Sequence, residues 1–170
     1  MKLILESDIL ILRETEPTDL EFVCSLELDE ENEPFIIPWP EEIHEKAIKS
    51  TDSFHLMIID RKSMRPVGYI IIAGLNSAHS SLELVRITIN DKGMGYGKET
   101  FRLIKNWVFM KNNSNRLWLD VKVNNERAIN LYKKQGFVVE GTLRECIKNY
   151  AGFESLHIMS ILKSEYMNNK

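Results

Sequence analysis

The chain has 170 residues, 44% of them hydrophobic and 28% charged, with eight glycines and five prolines. That is ordinary globular usage, and it excludes a collagenous, low-complexity or intrinsically disordered chain. Twenty-two basic residues against 25 acidic ones leave a net charge of −3, which gives no general attraction to a nucleic-acid backbone or an anionic membrane surface. The length suits one domain, 1–170, large enough to bury its own core. Cys24 and Cys146 lie far apart, with no Cys or His near them at ligand spacing. They are read as buried thiols in a reducing compartment, with no metal site and no disulfide framework. After Lys2 only three apolar residues precede Glu6 and Asp8, too short a run for a signal peptide, and no stretch approaches the roughly 20 apolar residues of a membrane span. The expectation is a cytoplasmic chain with neither nucleic acid nor membrane as partner.

In chain order, the first strand is expected at Ile9–Arg13. A helix opens at Pro17-Thr18-Asp19, with Leu20, Val23 and Leu26 on its apolar face. Next come an acidic run (Asp29, Glu30, Glu31, Glu33), the Pro38-Trp39-Pro40 turn and a polar helix from about Glu41 to Ser50. Strands at Phe54–Ile59, Val67–Leu75 and Leu82–Ile89 form an antiparallel meander. The pattern then alternates: a helix over Gly97–Val108 with Phe101, Ile104 and Val108 at helical spacing, a strand at Leu117–Val121, and a short helix at Glu126–Gln135 capped by Gly136. Phe137–Val139 restart an extended segment, and a last hairpin runs from about Gly141 to Leu162 around the Asn149–Gly152 turn. The fold class expected is α/β (α+β): a mixed, mostly antiparallel sheet of six or seven strands with helices on both faces.

The stretch Asn90-Asp91-Lys92-Gly93-Met94-Gly95-Tyr96-Gly97-Lys98 follows a strand and opens a helix. Three glycines in five positions cost backbone entropy, so they imply positive φ or a ligand lying against the main chain. The free N–H groups and positive dipole end of the following helix add an anion cradle suited to a phosphate or diphosphate. A Walker A loop does not fit, because Lys92 and Glu99 stand where it needs Gly and Ser or Thr. A dinucleotide fingerprint fits poorly, with Lys98 in place of the third Gly and a meander instead of a first βα unit.

Lys92-Gly93-Met94-Gly95-Tyr96-Gly97 resembles the Gln/Arg-x-x-Gly-x-Gly/Ala signature of the GNAT superfamily of acyl-CoA-dependent N-acyltransferases, with Lys in the first place. Asn125 through Gly136-Phe137, with Ala128 and Tyr132 between, resembles the Asn-x-x-Ala-x-x-x-Tyr-x-x-x-Gly-Phe segment of the same family, and Glu140-Gly141-Thr142-Leu143-Arg144 resembles the strand after it. The likeness runs from about Leu10 to Leu162. The Asn90-Asp91 connection is shorter than the family usually carries.

The resemblance implies acetyl-CoA as acyl donor. It assigns main-chain groups of Ile87, Thr88 and Ile89 to the pantetheine arm, and the amides from Lys92 through Gly93, Met94, Gly95, Tyr96 and Gly97 to Lys98 to the diphosphate, with Lys92 and Lys98 as counter-charges. Asn125 is assigned both a helix cap and a contact to the cofactor arm. Tyr132 matches the tyrosine that protonates the departing thiolate. An alkyl ammonium with a pKa of ~10.4 must lose a proton before it attacks; Glu83 corresponds to a carboxylate that serves relatives as base or water relay, and a salt-bridged strand glutamate is the other reading. His55 and His79 are read as a satisfied or exposed histidine before a base. With no Cys or Ser in a nucleophile motif, direct attack in a ternary complex is expected.

The acidic run and Trp39 suggest a cationic acceptor such as a polyamine, an aminoglycoside or a basic protein N-terminus. The overall pattern is most similar to the branch holding ribosomal-protein alanine and spermidine N-acetyltransferases. A non-catalytic acyl-CoA-binding sensor is the alternative, and a homodimer through the final strands is what the family implies.

Overall fold

Eight strands and five helices are present among residues 4–169, which the computed structural model describes; the reading of Lys2 and Leu3 lies outside that range. The strands stand in the order β1-β2-β3-β4-β5-β6-β8-β7, with β1 at Ile4–Glu6, β2 at Leu10–Glu14, β3 at Ser53–Asp60, β4 at Pro66–Ala73, β5 at Ser81–Ile89, β6 at Arg116–Lys122, β7 at Val138–Asn149 and β8 at Gly152–Leu162. All neighbours are antiparallel except β5 and β6. The class is the one expected, and the strand count is not. β1 is a three-residue edge strand too short for its own periodicity to announce. β7 begins at Val138, so the expected extended segment and hairpin arm are one strand, bent by register shifts after Val139 and after Leu143.

The period-2 alternation divides the sheet into two apolar faces. Leu10, Leu12, Leu56, Ile58, Ile70, Ile72, Leu117 and Leu119 face α3 (Tyr96–Asn106) and α4 (Glu126–Lys134), meeting Phe101, Ile104, Ile129 and Phe137. The intervening Met57, Ile59, Tyr69 and Ile71 face α1 (Leu20–Glu27), against Val23 and Leu26. α2 spans Glu41–Lys49, and α5, Lys163–Asn168, carries no sequence signal strong enough to have been expected. α3 ends in a π-helical turn over Trp107–Lys111, where the Asn112 N–H reaches back to the Trp107 carbonyl at 2.8 Å. α4 ends as expected: Gly136, at φ +92°, takes the left-handed position just past the helix.

Two irregularities create the site. Ile71 pairs with Arg86 and Ile72 with Leu84, which leaves Val85 as a bulge. Before it Leu82 and Leu84 face α3; after it Ile87 and Ile89 do, so the bulge swings both Val85 and Arg86 to the α1 face. In addition, β5 and β6 pair only at Ser81, Leu82 and Glu83 with Arg116, Leu117 and Trp118. Beyond Glu83 the two strands diverge into a wedge.

Candidate active site

The wedge opens into a cleft of ≈ 940 Å³ whose walls come from β5, β6, the glycine loop, α4 and the 30–37 segment. Ile87 and Ile89 line it, with their strand's β6-facing edge unpaired; Thr88 is buried on the other face, where Tyr69 is its partner on β4. An unpaired β edge is what an amide-containing arm needs in order to add itself as a strand.

The glycine loop forms the far end. Gly93 and Gly95 take φ +86° and +80°, and a Cβ on either would meet nothing within 4 Å, so backbone conformation rather than crowding demands glycine at both. Gly97 is different: its missing Cβ would touch Ile89 and Leu131 side chains at 3.5 Å, ordinary contact distance. Glu99 is the first residue of α3 to bond back, to the Gly95 carbonyl at 3.1 Å. The amides of Tyr96, Gly97 and Lys98 are thus left at the helix start without intrahelical acceptors, where the dipole favours an anion. Gly93, Gly95, Tyr96, Gly97, Lys92 and Lys98 line the cleft, while Met94 turns outward, 64% exposed. The Tyr96 phenol leaves the cradle and donates to Asp60 at 3.1 Å. Lys92 does not stand free, since its ammonium meets Glu31 at 2.8 Å and so ties the loop to the opposite wall.

Asn125 caps α4, its Oδ1 accepting the Ala128 N–H at 3.2 Å, and it lines the cleft. Tyr132, one helical turn beyond Ala128, packs its ring between Phe101 and Phe137 and borders the cleft at 8% exposure. Burial raises its pKa, with the charge of Asp120 adding to the effect, so the phenol holds its proton. Glu83 sits half-buried at the closed end of the wedge, beside Trp118, and is not among the cleft-lining residues. Burial, then the Asp120 carboxylate, raises its pKa. His79 is exposed in the β4–β5 turn, outside the cleft lining. Cys24 is half-buried and Cys146 exposed, and neither forms a disulfide; the expectation of buried thiols fails at Cys146 because β7 is an uncovered edge.

Behind the 34–39 segment lies a buried polar cluster that sequence reasoning missed. The Glu27 carboxylate, 0% exposed, accepts from the Tyr69 hydroxyl and the Arg86 guanidinium, and from the Trp39 N–H at 2.7 Å, with His44 Nε2 at 3.3 Å. Burial alone would raise its pKa, but the hydrogen bonds from His44, Tyr69 and the Trp39 amide, with the Arg86 charge, overcome this and hold it at about 2. His44 Nδ1 meets His55 Nε2 at 3.1 Å, and His55 Nδ1 meets Thr15 Oγ1 at 2.8 Å. Burial, then His44, depresses His55 to about 3, so it is a neutral relay of hydrogen bonds inside the fold rather than a cleft base. Arg86 also lies over the Trp39 ring at 4.8 Å and donates to the Ile37 carbonyl at 2.9 Å, while Lys122 donates to the Pro34 carbonyl at 2.9 Å. These bonds fasten the 34–39 segment against the cleft. One signal was available: Glu27 falls seven residues after Leu20 and four after Val23, on the apolar stripe of α1, where a carboxylate requires partners. Asp120 and Arg127 also line the cleft without having been singled out.

Residues 20–137 match the acetyltransferase (GNAT) family. The chain is 28% identical over 169 residues to a spermidine N(1)-acetyltransferase of Vibrio cholerae, covering 94% of this chain and 96% of that protein. The crystal structure of the V. cholerae spermidine N-acetyltransferase with CoA and spermine superimposes with a TM-score of 0.82 at 27% identity, covering 94% of this chain and 98% of that one. A dodecameric structure of the V. cholerae enzyme in an intermediate state gives 0.78 at 27% identity, with 95% and 98% covered. The splayed strands, the glycine cradle at a helix start and a tyrosine at the wedge, together with a match over most of the chain, establish that this protein belongs to the GNAT family and is an acetyl-CoA-dependent N-acetyltransferase.

Proposed function

We propose that the acceptor is a polyamine of the spermidine class. One observation carries this reading: the cleft lining combines four carboxylates, Glu30, Glu31, Asp91 and Asp120, of which Glu31 is paired with Lys92, with an apolar wall of Phe35, Ile36 and Ile37. A chain of ammonium groups separated by methylenes presents the complementary pattern, charge for the carboxylates and hydrocarbon for the wall. The names of the relatives point to the same substrate class.

In this reading the pantetheine arm lies along residues 87–89, and the diphosphate rests on the amides between Lys92 and Lys98, whose ammonium groups balance its charge. The Asn125 carboxamide keeps its NH2 side for the cofactor arm, because the cap uses Oδ1. The amine attacks the thioester directly, and the Tyr132 phenol gives its proton to the leaving thiolate. Glu83, at the closed end of the wedge, acts through an intervening group instead of on the amine itself. The last hairpin is the sheet's edge and exposes Val138, Leu143 and Phe153, so it is the surface through which copies of the chain associate.

The test is CoA-thiol release from acetyl-CoA with spermidine, spermine, aminoglycosides, amino acids and N-terminal peptides. Spermidine or spermine gives the highest kcat/KM. Turnover of peptides or amino acids without polyamines refutes the acceptor, and no turnover with any amine favours a binding module. Acetyl-CoA at a hundredfold excess over its Kd adds about 2.7 kcal/mol of stability.

A further inference from the structure

We propose that Asp120, rather than Glu83, is the group that takes the proton from the acceptor's ammonium; the assignment rests on the amine-acetylation reading above.

Register fixes the placement. Glu83 on β5 is directly opposite Trp118 on β6, so the two share a face of the sheet, and Asp120 is two residues further along β6 on that same face. The opposite face confirms the phase, since Leu82, Leu117, Leu119 and Val121 all enter the core beneath α3 and α4. Asp120 therefore sits just past the last paired position, where the strands have parted, and its carboxyl opens onto the cleft. Tyr132 reaches the same cleft from the α4 side. The two groups thus flank the wedge from opposite faces of the sheet, which is the arrangement that removing a proton from the incoming amine and supplying one to the leaving sulfur requires.

Other charged groups around Asp120 are accounted for. Lys122, next on the same face of β6, is paired with Glu154 of β8 at 2.9 Å. Arg86 of β5 is engaged by the buried Glu27. Arg127 of α4 lines the same cleft, and Glu83 and Tyr132 each feel the Asp120 charge. Burial raises Asp120 and Arg86 opposes the rise, so the carboxyl keeps more basicity than a solvated aspartate.

The step balances as follows. The ammonium N–H bond breaks and its proton goes to an Asp120 oxygen. The freed nitrogen pair forms the C–N bond at the thioester carbon, and the C–S bond breaks. The Tyr132 proton passes to sulfur, the acylated nitrogen gives up its second proton through water to the tyrosinate and becomes the amide, and Asp120 later gives its proton to water. The sum is acetylated amine, CoA thiol and one proton released.

The experiment measures kcat/KM against pH for Asp120→Asn, Asp120→Glu and Glu83→Gln, with acetyl-CoA affinity measured by calorimetry, using spermidine or whichever amine of the panel is turned over. Asp120→Asn lowers kcat/KM about a hundredfold and removes the acid limb of the profile, while acetyl-CoA affinity stays within about twofold. Asp120→Glu restores part of the rate. Glu83→Gln keeps the acid limb at its wild-type position, because Asp120 is perturbed by burial and by Arg86 rather than by Glu83. The proposal is overturned if Asp120→Asn retains the wild-type rate and acid limb, if it loses acetyl-CoA binding along with the rate, or if Glu83→Gln alone abolishes the limb. Failure with spermidine but turnover of another amine refutes only the polyamine reading; failure with every amine refutes both.

Discussion

Glu27→Gln isolates the charge at the centre of the buried cluster while keeping the side-chain volume. In the folded protein the carboxyl is held at about 2 against its usual 4.5. At 1.36 kcal/mol per pKa unit, that difference contributes about 3 kcal/mol of stability near neutral pH. An independent route gives a similar figure, since removing one partner of a buried ion pair costs about 3–5 kcal/mol, and here Arg86 loses its counter-charge. For a chain of this size, a loss of about 3 kcal/mol lowers Tm by roughly 6–12 °C. A carboxylate with a depressed pKa stabilises above its unfolded value, and the contribution disappears as pH falls through the folded value. The gap between wild type and Glu27→Gln in urea or thermal unfolding is therefore full above pH ~5, and closes as pH falls from about 4.5 to about 2. A gap under about 1 kcal/mol near neutrality, or one that persists unchanged at the acid end, would refute the account of Glu27 as a paired, buried anion.

Tyr132→Phe keeps the ring between Phe101 and Phe137 and removes only the proton donor, so kcat falls about 10²-fold or more while acetyl-CoA affinity, by calorimetry, is unchanged; retention of half the rate sinks the acid role. Gly95→Ala forces a side chain into φ +80° with open space around it. It loses roughly 1–2 kcal/mol from backbone strain alone and weakens acetyl-CoA binding, whereas Gly97→Ala, at ordinary contact distance, leaves stability nearly unchanged. Lys92→Met breaks a pair whose Glu31 partner is 71% exposed, so stability changes by less than about 1 kcal/mol. Its acetyl-CoA affinity falls at low ionic strength and converges on wild type as salt rises; equal Kd values at low salt would show that Lys92 is no counter-charge to the diphosphate.

The sequence by itself determined the elements and the glycine-loop end of the cleft. Periodicities of 2 and 3.6 located the meander, the two helices over one face and the last hairpin, because each element must bury its own apolar stripe. The glycine loop was legible because its chemistry is local: main-chain amides, positive φ and a helix start all lie within six residues. Asn125 and Tyr132 were legible for the same reason, one on the cap and one on the helix it begins. What only the tertiary structure decided is the opposite side of the cleft. The shift of apolar residues from Leu82 and Leu84 to Ile87 and Ile89 marks a bulge in the sequence, but which partner Arg86 then meets depends on α1 crossing that face. Glu27, His44, Tyr69 and Arg86 come from four elements spread over 60 positions and converge only when the sheet closes against α1 and α2. Asp120 faces the cleft because β5 and β6 part after Glu83, a consequence of how two strands separated by a helix are aligned. Local hydrogen bonding and burial periodicity are written along the chain, whereas the pairing of distant charges is set by packing geometry that no stretch of sequence contains.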